Sequence, residues 1–96
     1  MSAVLFESLA VAGMLLGIGV VAYLTLSRVK SALRRRTATR YGRLVKRELE
    51  NGNVEVIAIG LTGDGTRTME KTYVAKALDP ELNNAFGYSQ TARIDI

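Results

Sequence analysis

Leu9–Leu26, LAVAGMLLGIGVVAYLTL, is the stretch on which the fold turns. Its 18 residues carry no charge, and SRVKSALRRRTATRYGR follows at once. As an α-helix rising about 1.5 Å per residue it would be about 27 Å long, close to the hydrocarbon thickness of a bilayer. Ala3–Phe6 extend the apolar character upstream, with Glu7 and Ser8 between. A cleaved secretory signal would begin with basic residues and have a shorter run ending at a small-x-small site. Here no Lys or Arg precedes the run, and several follow it. A buried helix of a globular protein would need more chain around it than this sequence leaves. The expectation is a single transmembrane helix with a short N-terminal tail over 1–27.

Charge sets the expected orientation. Between Arg28 and Arg47 lie nine basic residues and no acid, whereas Glu48–Ile96 holds eight acids and four bases. Lys and Arg beside a span stay on the cytoplasmic side. The sequence therefore predicts a single-pass membrane protein with a cytoplasmic C-terminus, Glu7 near the outer interface and Tyr23 near the inner one. Gly13 and Gly17 form a GxxxG, with Ala10 on nearly the same face. These three small residues would let a neighbouring helix or a second copy approach closely.

The basic stretch reads as a juxtamembrane helix over 28–50. At about 100° per residue, Leu33, Thr37, Tyr41, Leu44, Val45 and Leu49 fall on one side. Lys30 and Arg34 intrude on that side, and Gly42 weakens the helix by about 1 kcal/mol. Arg34, Arg35, Arg36, Arg40, Arg43, Lys46 and Arg47 are the candidate phosphate-contacting residues. A guanidinium can hold a phosphate through two parallel hydrogen bonds, and basic residues beside an anionic leaflet gain about 1 kcal/mol each. Nucleic acid is the weaker partner, because Tyr41 alone offers a stacking surface within this stretch.

The remaining segment, 51–96, reads as small and β-rich, with two or three strands. Asn51-Gly52-Asn53 is a turn that would close the helix. Val54–Leu61, VEVIAIGL, is a strand by its β-branched content. Ile57 and Ile59 alternate with Val54 and Val56, so a single sheet would present apolar side chains on both faces. Gly60, Gly63 and Gly65 follow in a spacing that fits a hairpin turn and neither nucleotide-binding motif. Residues 66–78 suit a return strand or a helix. Asp79-Pro80-Glu81 is a helix start with an N-cap, Gly87 ends that helix, and the last residues alternate as a strand.

The chain contains no Cys and no His. Disulfides, thiolate metal sites and the commonest general base are therefore excluded. No catalytic, cofactor-binding or metal-binding set is predicted. Phe6-Glu7 and the apolar run after them resemble the N-terminal helix of type IV pilins and pseudopilins, which implies a filament subunit. The chain departs from that family in having no basic leader ending in glycine, and in charges that would hold its C-terminus inside. The pattern therefore favours a non-catalytic accessory, scaffolding or assembly subunit of a larger membrane protein complex. The alternatives are a membrane-anchored binding module whose arginines contact anionic lipid or nucleic acid, as in a virion membrane protein, and the pilin-like filament subunit.

Overall fold

A computed structural model describes residues 20–96. Within them the expected membrane helix is replaced by a strand, β1 (Val20–Leu24), which ends at Thr25. The local reason is composition: Val20, Val21 and Tyr23 are residue types that suit a pleated surface. Thr25 is extended, and its hydroxyl accepts from the Arg28 N–H at 3.1 Å, so a helix begins only there. That helix, α1 (Leu26–Leu33), is eight residues long. Among the described residues no helix is long and apolar enough to cross a membrane. The single-pass topology, and the cytoplasmic placement of the C-terminus derived from it, are overturned by this strand. The earlier part of the apolar run, with Ala10, Gly13 and Gly17, lies outside the described residues.

The expected juxtamembrane helix is corrected in the same way. The chain leaves α1 through turns at Arg35, Arg36 and Thr39, then enters β2 (Tyr41–Glu48). In β2 the period is two: Gly42 and Leu44 are buried while Arg43 between them is exposed. Asn51–Asn53 therefore closes a hairpin and not a helix, with Leu49 N–H donating to the Asn53 carbonyl at 2.8 Å. Gly52 takes φ +87°, a conformation that glycine adopts freely.

The chain continues through β3 (Val54–Leu61), β4 (Arg67–Leu78), α2 (Pro80–Phe86) and β5 (Thr91–Asp95). The five strands form one mixed sheet in the order β1-β4-β3-β2-β5. β1 runs parallel to β4, and every other neighbouring pair is antiparallel. Residues 66–78, ambiguous in sequence, are thus strand. Among the described residues the fold is a five-stranded sheet with two short helices, in place of the expected membrane helix with a small β element.

Residues directly opposite one another on neighbouring strands share a face. Gly42 and Leu44 thus lie with Gly60 and Ala58 of β3, and with Ile94 and Ala92 of β5. Val56 and Val54 lie with Tyr73 and Ala75 of β4. Both helices cover this face. Val29 and Leu33 of α1, and Leu82 and Phe86 of α2, complete the core over Leu44, Val56, Tyr73 and Ile94. A Cβ on Gly42 would collide with Leu33 Cδ1, so the absent side chain is the seat for the end of α1.

One carboxylate joins the two helix starts. Asp79 Oδ1 accepts from Leu82 N–H at 2.7 Å, capping α2. Its Oδ2 accepts from Leu26 N–H at 3.4 Å, and its own N–H donates to the Leu24 carbonyl at 2.9 Å.

Candidate anion-binding surface

The seven predicted phosphate-contacting residues divide into two groups. Arg34 caps the C-terminus of α1, Arg35 and Arg36 follow in the turn, and Arg40 stands just before β2. All four are exposed, as is Arg43 on the sheet face that the helices leave uncovered. Arg40 Nη1 donates to the Thr37 carbonyl at 3.0 Å, which ties this arginine to the turn it follows.

Lys46 and Arg47 do not join that group. Strand alternation sends them to opposite faces. Lys46 Nζ lies 5.0 Å from the centre of the Phe86 ring, on the helix-covered side. Arg47 reaches Glu55, directly across β2–β3, at 3.0 Å, and that carboxylate side chain is only 6% exposed. Both cations serve the fold before any partner.

Three ion pairs form among the described residues: Arg47–Glu55, Arg67–Glu70 and Arg93–Asp95. None involves Arg28, Arg34, Arg35, Arg36, Arg40 or Arg43. Six guanidinium groups thus line α1, its following turn and the start of β2 without a carboxylate partner among the described residues. Part of the charge at Arg34–Arg36 complements the negative end of the α1 dipole, a purely structural contribution. The remaining hydrogen-bonding capacity faces water.

Three contributors were not among the predicted site residues. Arg28 stands on α1 and Arg35 in the turn that follows it, and both arginines oppose the effect of burial on the Tyr73 phenol. Burial is the larger influence and raises that pKa above its ordinary 10.0, so the phenol stays neutral at physiological pH. Lys71 Nζ lies 5.6 Å from the Tyr73 ring centre. On the uncovered face, Arg93 stacks on Tyr41 at 4.0 Å and stands directly opposite Arg43. The Arg28–Arg35 spacing was legible as one helical side; Arg93 and Lys71 needed the strand pairing to be found.

Among the described residues no group of His, Cys, Asp or Glu is arranged to hold a metal ion. Comparison with known proteins returns no match among protein families, curated proteins or solved structures.

Proposed function

We propose that this chain is a non-catalytic accessory or assembly subunit, held against phosphate-bearing surfaces by its arginines, with anionic lipid headgroups as the preferred partner. The observation that carries this reading is the set of six arginines, from Arg28 to Arg43, without a carboxylate partner among the described residues. Charges already neutralised within a fold gain little from an external anion, whereas these six are free to do so. Nucleic acid ranks below lipid on chemistry. Tyr41, the one aromatic residue between Arg28 and Arg47, is stacked under Arg93 and so is poorly placed to receive a base.

The test uses the full chain and vesicles of phosphatidylcholine with and without phosphatidylserine. Arg34, Arg35, Arg36, Arg40 and Arg43 are replaced together by glutamine; all are exposed, and circular dichroism checks the fold. At about 1 kcal/mol per charge, phosphatidylserine-dependent binding falls at least about a hundredfold at low salt and less at physiological ionic strength. Equal binding to neutral vesicles, or no response to the substitutions, overturns the proposal. So does binding confined to nucleic acid with a steep salt dependence.

A further inference from the structure

Among the described residues the sheet ends in two different edges. β1 presents no charged side chain and runs parallel to its neighbour. β5, TARID, alternates apolar and charged residues and runs antiparallel to β2. Its hydrogen bonds to β2 are made by the even-numbered residues: Lys46 N–H donates to the Gln90 carbonyl at 2.8 Å, and Ile96 N–H to the Arg40 carbonyl at 3.2 Å. In an antiparallel ladder this alternation turns the backbone groups of Thr91, Arg93 and Asp95 outward. The Thr91 N–H is met locally by the Ser89 hydroxyl at 3.1 Å. The outward groups of Arg93 and Asp95 have no such partner among the described residues.

We infer that the outer edge of β5 is a self-recognition surface. A second copy of the chain adds its own β5 antiparallel, with Arg93 opposite Asp95 of that copy and Ile94 opposite its Ile94. Three observations select this arrangement. First, Arg93 and Asp95 are the residues whose outward backbone groups are open, and in this register they exchange hydrogen bonds with one another. Second, Arg93 stands opposite Arg43 across β2–β5. Two like charges directly opposite are unfavourable, and the incoming Asp95 continues that row with the opposite sign. Third, exposed apolar surface flanks the strand, with Tyr88 fully exposed before it and Ile96 36% exposed after it. The register brings Ile96 opposite Ala92 of the second copy, on the face already occupied by Ile94.

A shift by one step would set Arg93 against Arg93 and Asp95 against Thr91. Charge therefore chooses the register. A strand-edge contact buries less than the about 1,200 Å² of a standard interface, so the dimer is a weak one, exchanging in the micromolar range.

The experiment follows the full chain by sedimentation velocity in mild detergent across a micromolar concentration series. The wild type passes from monomer to dimer. Arg93→Asp and Asp95→Arg each weaken the dimer at least about tenfold, since both cross-strand pairs change from attractive to repulsive. The double variant R93D/D95R restores association, because exchanging the charges regenerates the same pairs in this register and in no other. An equimolar mixture of the two single variants also associates. Both side chains are exposed, so the singles keep their fold, which circular dichroism confirms. A chain that stays monomeric, a dimer indifferent to the single changes, or a double variant no better than the singles overturns the inference.

Discussion

The two faces of the sheet are stabilised by different chemistry. The covered face holds Leu44, Val56, Ala58, Tyr73, Ala75 and Ile94 under two helices, and its side chains are almost wholly removed from water. The other face, which neither helix covers, mixes buried Val74 and half-buried Val45, Ile57, Ile59 and Leu61 with Arg43, Arg93 and the Arg47–Glu55 pair. Burial on the first face is non-directional and sensitive to volume. The second depends on charge arrangement, and so on salt and pH. Helix-covered apolar packing dominates the first side, whereas charges interrupt the apolar residues of the second.

The sharpest way to break this contrast is at the seat of α1. Leu33→Ala is expected to cost about 2–5 kcal/mol in urea unfolding, for lost burial plus a cavity. Gly42→Ala alone is destabilising too, because its methyl meets Leu33 Cδ1, with Ile94 Cγ1 at 3.3 Å behind it; overpacking costs about 1–3 kcal/mol. The double variant should be more stable than the sum of the two losses, since the new methyl enters space that Leu33 vacated. Strict additivity would mean that the two residues do not meet.

On the uncovered face, Glu55→Gln is expected to cost less, about 1–3 kcal/mol. Neutralising the buried carboxylate removes this ion pair, and because the Arg47 side chain is 31% exposed, water offsets part of the loss. The loss should shrink as salt rises, unlike that of Leu33→Ala. A salt-independent change of the same size in both would erase the distinction between the faces.

The smallest effect lies outside both faces, in the β3–β4 turn. Asp64 accepts from the hydroxyls of Thr62 and Thr66, the latter at 2.9 Å, and from the Thr66 N–H at 3.2 Å. These bonds, the Thr62 hydroxyl first, hold its pKa below the ordinary 3.8. A depressed folded pKa contributes stability that is complete above the unfolded value and disappears as pH falls through the folded one. Asp64→Asn should therefore lower the melting temperature slightly at neutral pH and flatten its dependence on pH below about 4, where the wild type loses the same contribution. An unchanged acid profile would show that the turn gains nothing from the charge.

Where the sequence was legible, local signals and tertiary structure agreed. VEVIAIGL is β3 over the expected residues, Asp79-Pro80 starts α2, and the alternation after Thr91 is β5. β1 was hidden because VVAYL sits inside a longer apolar run with no turn signal at its start, and such runs carry no period to separate helix from strand. β2 was hidden for the opposite reason. Leu33, Tyr41, Leu44 and Val45 satisfy a helical spacing, although only their pairing with distant strands decides their conformation. Gly42 was read as a weak point of a helix, yet its missing side chain is what admits Leu33. The same error misplaced two of the seven site residues: a helix puts Lys46 and Arg47 on one polar side, whereas a strand separates them. Arg34, Arg35, Arg36, Arg40 and Arg43 are exposed in the strand-based fold as they would be on the surface of a helix, because the placement of such charges depends little on tertiary pairing.

Asp79 fixes more than two helix caps; it dictates the order in which the chain can assemble. β1 is aligned with the end of β4, Val20 beside Val74 and Leu24 beside Leu78. During synthesis β2, β3 and most of β4 must therefore leave the ribosome before β1 meets the one neighbour it has among the described residues. Until then VVAYL is an unpaired apolar segment, at risk of collecting any strand edge it meets. Pairing between residues so far apart in sequence slows folding, because a long loop must close before any contact rewards it. Once Asp79 emerges, its backbone and carboxylate engage Leu24 and Leu26 together, which joins β1 to the end of β4 and sets the start of α2 beside that of α1.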